Sequence, residues 1–228
     1  MGLAQVAMLR GDLATADSQF EAIAEEAQRH DLTPQLAAAL HNQSVVASYA
    51  QDPWRASVLA HRALGLTTDL VERDRVLGDL GAYLIACGDY AAALDAFRIL
   101  QLTASGEELR LGALGNIAVI AARIGDRQAF DAATRDLDIA RFPADAQLAL
   151  MVEFAAGYRR FDESTTADRW LENARLTAIR FGLSEQLADE SRAQPVVVPN
   201  GKPAPDETSG AVIEIASSLR QLAASLVG

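Results

Sequence analysis

The residues that most often carry catalysis or bind metal ions are few in this chain. Its three histidines, His30, His41 and His61, fall on different predicted helices, and Cys87 is its only cysteine. A zinc site needs three or four converging ligands, so this scattered set does not indicate one. The chain also lacks the Gly-x-Ser-x-Gly turn of hydrolases and a glycine-rich loop that cradles phosphates. We therefore expect no catalytic residue, no metal, no cofactor and no enzymatic activity.

Carboxylates are plentiful, and a pair of them can serve as general acid and general base. They cluster on helix faces that the pattern assigns to solvent, as at Glu21, Glu25 and Glu26. An enzyme on a helical-repeat scaffold is the alternative, and a buried carboxylate or histidine with a shifted pKa in a closed pocket would favour it. Cys87 lies in an apolar stretch before a glycine, which favours a packed thiol over a nucleophile.

Composition narrows the class of protein further. Half of the 228 residues are apolar, with alanine and leucine dominant, and this favours helices. The net charge of −11 predicts no nucleic-acid partner, whereas a basic peptide or protein stays possible. The single cysteine, the expected lack of a signal peptide and the lack of a long apolar run predict a cytoplasmic protein without membrane contact. Lys202 is the only lysine, which we interpret as the coding bias of a bacterial genome.

One short pattern recurs along the chain at a nearly constant interval. A turn residue that leads into an alanine-rich helix stands at Gly11, Gln51, Gly88, Gly125 and Asp162. The intervals between these positions are 40, 37, 37 and 37 residues. A fixed period of this size is typical of a solenoid built from pairs of helices.

The repeat resembles the tetratricopeptide repeat (TPR), and the third copy matches best, with Leu77, Leu80, Gly81, Leu84, Gly88, Tyr90, Ala93, Phe97 and Leu100 in the motif positions. The fifth copy adds Met151, Phe154, Ala155, Tyr158, Ala167, Leu171 and Ala174. The period exceeds the family norm of about 34 residues, and the proline of the repeat junction is missing. The longer period resembles the repeats of large bacterial signalling regulators. The resemblance implies an all-α fold, a right-handed helical-hairpin solenoid or TPR-like superhelix, that binds other proteins.

Turn and capping signals divide the chain into helices and three regions. Residues 1–192 form the repeat domain of about five helix pairs, 193–210 a flexible linker, and 211–228 an amphipathic docking helix. The first pair is truncated, so we expect the chain to be a piece of a larger protein; a natural start with a frayed helix is the alternative. The expected helices span 3–10, 13–30, 34–50, 53–66, 69–87, 89–103, 107–124, 126–139, 144–160, 165–182, 185–192 and 211–227.

In this family the first helix of each pair lines an inner groove, and the repeat register then implies its lining residues. They are His41, Val45, Arg75, Ala82, Ile85, Val119, Ala122, Val152, Ala156 and Arg159. The lining is small and apolar at its centre, and lacks the Lys, Asn and Arg set with which family members grip peptide carboxylates. A helix or peptide is therefore the expected occupant. A register shifted by one position would instead place several of these residues in the core.

The last predicted helix has a narrow apolar stripe at spacings of three and four residues, formed by Val212, Ile215, Leu219, Leu222 and Leu226. Such a stripe packs against another helical surface. We expect it to dock in the groove of the repeats, in cis or in a homodimer, where it would stand in for a partner helix.

Together these features predict a non-enzymatic protein-interaction module or scaffold that binds a protein or peptide, as the interaction or sensor domain of a bacterial regulator. One alternative is a domain that senses a small ligand or peptide, which a polar lining with Arg75, Arg159 and Arg160 would favour. Another is a homo-oligomeric scaffold joined through the last helix.

Overall fold

The computed structural model describes residues 2–135, 137–192 and 209–227. Over these ranges the chain forms twelve α-helices and one short 3₁₀ helix, Ile139–Arg141, and no strand, which confirms the all-α prediction. The α-helices are α1 (Gly2–Leu9), α2 (Leu13–Arg29), α3 (Thr33–Tyr49), α4 (Pro53–Leu66), α5 (Leu70–Cys87), α6 (Tyr90–Thr103), α7 (Glu107–Ile124), α8 (Arg127–Arg135), α9 (Ala144–Arg160), α10 (Ser164–Phe181), α11 (Ser184–Arg192) and α12 (Ser209–Val227).

The five positions that mark the sequence repeat all have a left-handed backbone. Their φ angles are 78° at Gly11, 61° at Gln51, 79° at Gly88, 79° at Gly125 and 61° at Asp162. In each case the next residue donates its backbone N–H to the carbonyl five positions earlier, at 2.9 to 3.0 Å. This is the hydrogen bond of a Schellman turn, which closes the end of a helix. The sequence repeat is therefore a repeated turn between the two helices of a pair.

An aspartate after the turn begins the second helix of four pairs. The Oδ1 atoms of Asp12, Asp52, Asp89 and Asp126 accept the backbone N–H three residues later, at distances between 2.9 and 3.2 Å. A carboxylate at this position satisfies an amide that lacks a partner inside the helix and complements the helix dipole. One residue thus ends the first helix, and the next residue starts the second.

The helices form two compact units, with the boundary inside α7 after Arg110. The first unit contains α1 to α6 and α12, and each of the helices α1 to α5 packs on the next one in the chain. Its buried core includes Leu77, Leu80 and Leu84 of α5, each at most 1 % exposed. Gly81 lets α5 approach the ring of Phe97, since a Cβ atom there would lie only 2.7 Å from that ring.

The second unit contains the described residues from Leu111 through α11 and is built around the buried ring of Phe130. That ring meets Phe154 edge-on at 5.8 Å between centroids and Tyr158 at 5.0 Å. Edge-on aromatic pairs of this kind add about 0.5–1.5 kcal/mol beyond the area they bury. A Cβ atom on Gly157 would lie 2.9 Å from Cβ of Ala122, so this glycine lets α9 lie close against α7.

Two features of the helix ends differ from the sequence expectations. Helix α8 stops at Arg135, not at residue 139, and the 3₁₀ helix follows because Asp138 accepts the N–H of Ala140 at 3.2 Å. The chain then passes Pro143, after which α9 starts. The linker predicted for 193–210 lies outside the described residues except for its last two, which belong to α12.

Helix α12 packs on α6 and α4, the second helices of their pairs. The expected position was a groove formed by first helices, so the predicted docking surface is wrong. The stripe itself faces the unit: Ile215 and Leu219 are 1 % exposed, and Val212 and Leu222 are half-buried. Leu226 is 41 % exposed, because the contact weakens toward the end of α12. A gap of about 360 Å³ separates that end from Ile99 and Leu102 of α6.

The left-handed turns generate a first prediction. In Gly125→Ala the new Cβ atom lies in open space, but the alanine must adopt a φ near 79°, which is unfavourable for a residue with a side chain. We therefore expect the unfolding free energy to fall by roughly 1–2 kcal/mol. Gly112→Ala is the matched control within α7, where the added Cβ is also unhindered, and it should gain about 0.5–1 kcal/mol. Gln51→Gly should be neutral or stabilising. Chemical denaturation measures all three, and equal effects of both alanine variants would contradict the turn assignment.

The docking of α12 generates a second prediction. Leu219→Arg should lower the melting temperature and raise the binding of an apolar dye, because a guanidinium replaces a side chain that is 1 % exposed. The upper limit of the effect is the free energy of docking, because α12 can detach from the unit. Ile213→Arg is the control on the same helix, at a position that is 71 % exposed, and should change neither signal. Equal melting temperatures for the two variants would show that α12 adds nothing to the first unit.

Candidate partner-binding face

Helices α3 and α5 are the first helices of the second and third pairs, and they contact each other directly. Nε2 of His41 on α3 lies 2.8 Å from Oδ2 of Asp79 on α5. The His41 side chain is 12 % exposed and that of Asp79 is 39 % exposed. This hydrogen bond therefore joins the two helices at the surface, 38 residues apart in sequence.

Each of the two helices exposes one stripe of side chains at spacings of three and four residues. On α3 the half-buried members include His41 and Val45; on α5 they include Ile85, while Arg75 and Ala82 are exposed. All five predicted lining residues of the first unit thus lie on two stripes that the His41 hydrogen bond joins. The α3–α5 face denotes these five residues together with Asp79.

Sequence reasoning missed Asp79, although two signals could have found it. It lies four residues after Arg75 and three before Ala82, and therefore on the same helix face. It also lies about one repeat beyond His41, where the first helices of successive pairs are neighbours in a stacked repeat. A polar residue about one repeat further along the sequence is therefore a candidate hydrogen-bonding partner for a half-buried histidine.

Charges on the face are arranged in local pairs. Arg75 donates from Nη1 to both carboxylate oxygens of Glu72, at 3.0 and 3.1 Å. Both side chains are about half exposed, and surface pairs of this kind contribute about 0–1 kcal/mol. Beneath the face, burial and the nearby Asp79 raise the pKa of Tyr83 to about 12, although a hydrogen bond with Ser44 acts in the opposite direction. The phenol is therefore neutral at physiological pH.

A pocket of about 150 Å³ opens at one end of the face, beside His41. The start of α3, the connection between α4 and α5, and the first turns of α5 form its walls. Apolar lining atoms predominate and come from residues that include Ala37, Ala38, Leu66 and Val76. The acidic residues Asp69 and Glu72 belong to the same lining. The pocket is thus an apolar hollow with acidic groups beside it.

The predicted lining residues of the second unit are not all at the surface. Val119 and Ala122 of α7 are buried, at 7 % and 4 % exposed, so the prediction that they line an open groove is wrong. Val152 and Ala156 of α9 are half-buried. Arg159 is exposed and lies 3.2 Å from Asp168 of α10. The second unit therefore offers a smaller accessible set than the sequence register implied.

The physical reason for the burial of Ala122 is the glycine at position 157. Without a side chain there, α9 approaches α7 until Ala122 becomes part of the contact. Arg123 and Glu153 fasten the same two helices, with Nη2 and Oε1 at 2.6 Å.

Groups that could perform chemistry are sparse in the part of the chain that the structure describes. There, no group of three His, Cys, Asp or Glu side chains comes close enough to hold a metal ion. Cys87 is 2 % exposed, and burial raises the pKa of its thiol to about 12, so the nucleophilic thiolate is absent at neutral pH. The described helices also include none whose length and apolarity would let it cross a bilayer.

The environment of Cys87 generates a third prediction. Ellman's reagent at pH 8 should leave the native thiol unmodified, because the thiol is protonated and shielded beside Ser57. In guanidinium chloride the same reagent should modify one thiol per chain, since Cys87 is the only cysteine. Rapid modification of the folded protein would show that this region opens readily.

Comparison of the chain with protein-family models, with curated proteins and with solved structures found no match in any of the three.

Proposed function

We propose that this protein is a non-enzymatic protein-interaction module whose first unit binds a helix or peptide on the α3–α5 face. The observation that carries the proposal is the pair of neighbouring stripes, tied by the His41–Asp79 hydrogen bond and accessible at Ala82. Two helices that expose aligned side chains form a shallow channel between them. A helix or an extended segment is the shape that fits such a channel.

The size of the side chains at the centre of the face also supports a macromolecular partner. Ala82 of the face and its neighbour Gly78 on α5 are small, so the backbone of a partner can come close to α5. Val45 and Ile85 are half-buried and would lose their remaining exposed area in a complex. Burial of a fully exposed side chain of this kind is worth about 1.5–3 kcal/mol, so the remaining area of these two supplies a fraction of that each and part of a modest affinity.

The recurring left-handed turn supports a finer description of the fold as well. Five turns of one geometry, at a nearly fixed interval, are typical of stacked helical hairpins, and the resemblance to the tetratricopeptide repeat adds the right-handed, TPR-like superhelix to the proposal. Within this proposal the module is the interaction or sensor domain of a bacterial cytoplasmic regulator.

The proposal generates a fourth prediction. Peptides selected from a phage-displayed library of random twelve-residue sequences should bind the protein. Ala82→Arg should lower their affinity at least tenfold, as measured by fluorescence polarisation. The reason is that a guanidinium at this exposed position occupies the channel. A tenfold loss corresponds to about 1.4 kcal/mol.

Ala91→Arg is the matched control, because Ala91 is an exposed alanine on α6, outside the face. It should leave the peptide affinity within twofold of that of the parent protein. Both variants should have the melting temperature of the parent protein. Selected peptides that bind the Ala82→Arg variant as well as the parent would place the binding surface elsewhere. A selection that yields no binder would contradict the proposed function itself.

A further inference from the structure

The pocket of about 150 Å³ and the α3–α5 face are continuous, because His41 belongs to both. A cavity of about this volume with apolar walls accommodates one benzene ring, and hence one large side chain. The apolar residues of its lining include Ala37, Ala38, Leu66 and Val76. A segment that lies on the face can therefore insert a single apolar side chain at its end.

The charged residues around the pocket determine which charge the residue next to the inserted side chain should carry. Three carboxylates are close to it or to His41, namely Asp69, Glu72 and Asp79, and Arg75 is the opposing cation of the face. The carboxylate of Glu72 already accepts hydrogen bonds from Arg75. Oδ1 of Asp69 accepts the N–H of Glu72 at 2.9 Å, and among the described residues none bonds its second oxygen. The excess of carboxylates favours a cationic neighbour and disfavours an anionic one.

The hydrogen bond of His41 adds a polar contact at the same place. A neutral imidazole that donates from Nε2 to a carboxylate presents Nδ1 as an acceptor. In the tautomer that the Asp79 contact favours, Nδ1 of His41 can accept an N–H from the backbone of a bound segment. Such a contact would align the segment next to the pocket.

We infer that this pocket is an anchor site for a basic peptide: it takes one Leu, Met or Phe side chain, and a Lys or Arg next to it pairs with Asp69 or Asp79. The inference rests on the proposed function, since the rest of the peptide lies on the α3–α5 face. It adds the partner's chemistry, which the face alone does not specify.

Four pools of fluorescein-labelled decapeptides test the inference, each randomised except for a central pair: Leu-Lys, Leu-Glu, Ala-Lys or Ala-Glu. Fluorescence polarisation against the full chain should show the Leu-Lys pool binding at least tenfold more tightly than the Ala-Lys and Leu-Glu pools. Equal affinity of the four pools would overturn the inference.

Two substitutions fill the pocket and one removes charge. Ala38→Phe, at a half-buried position, and Thr68→Phe, at an exposed one, should each abolish the preference for Leu over Ala. The second variant keeps the test valid if the first is unstable. Asp69→Asn retains an acceptor for the N–H of Glu72, and should reduce the preference for Lys over Glu without changing the melting temperature.

The Ala82→Arg variant separates the inference from the proposed function. If Ala82→Arg abolishes binding while the pocket-filling variants retain the preference for Leu-Lys, the face binds peptides and the anchor assignment is wrong. If all pools bind the parent and every variant alike, the face is not the binding surface, and the proposed function and the inference are both wrong.

Discussion

The left-handed residue between the two helices of a pair is the constraint on which the rest of the structure depends. It lets the following amide reach back across five residues, and it lets an aspartate start the next helix in four of the five turns. Each capping interaction is worth about 1 kcal/mol, but its geometric effect is larger. Because the turn is fixed, counting backward from it determines which side of the first helix each residue occupies. Gln51 and Asp162 adopt this conformation although they carry a side chain, so the turn is kept even where it costs backbone strain.

Counting from the turns explains why the face could be found from the sequence and why its exposure could not. Val45, Ala82, Val119 and Ala156 each precede a turn residue by six positions, so they occupy equivalent places. Their burial nevertheless differs, from the exposed Ala82 to Val119 at 7 %. The neighbouring helix decides how deeply such a position is covered. That coverage depends on the side chains of the next copy, which the register of one copy does not contain.

The glycine of the fifth copy shows this dependence most directly. At the position five residues before the turn, the second, third and fourth copies have Val46, Tyr83 and Ile120, and the fifth has Gly157. The missing side chain brings α9 onto Ala122. Helix bounds follow from local signals such as proline, aspartate and glycine, and were predicted to within a few residues. The His41–Asp79 contact and the pocket beside it depend on two or three segments brought together, so local patterns did not reveal them.

Helix α12 illustrates that an apolar stripe predicts burial but does not predict which surface the stripe packs against. The spacing of Ile215 and Leu219 requires a buried partner surface, but it is compatible with any apolar helical surface. The surface that α12 covers lies on α4 and α6. His61 of α4 is close to Glu214 of α12, yet burial lowers the pKa of its imidazole more than the carboxylate raises it.

The imidazole of His61 is therefore largely neutral at pH 7, and apolar contact dominates the docking of α12. With α12 in place, Arg75 and Ala82 on α5 are still exposed. A helix that stabilises α4 and α6 without covering the α3–α5 face acts as a structural cover of the first unit. This position argues against the expectation that α12 stands in for a partner, since the partner's proposed surface is on the first helices of the pairs and α12 lies on the second.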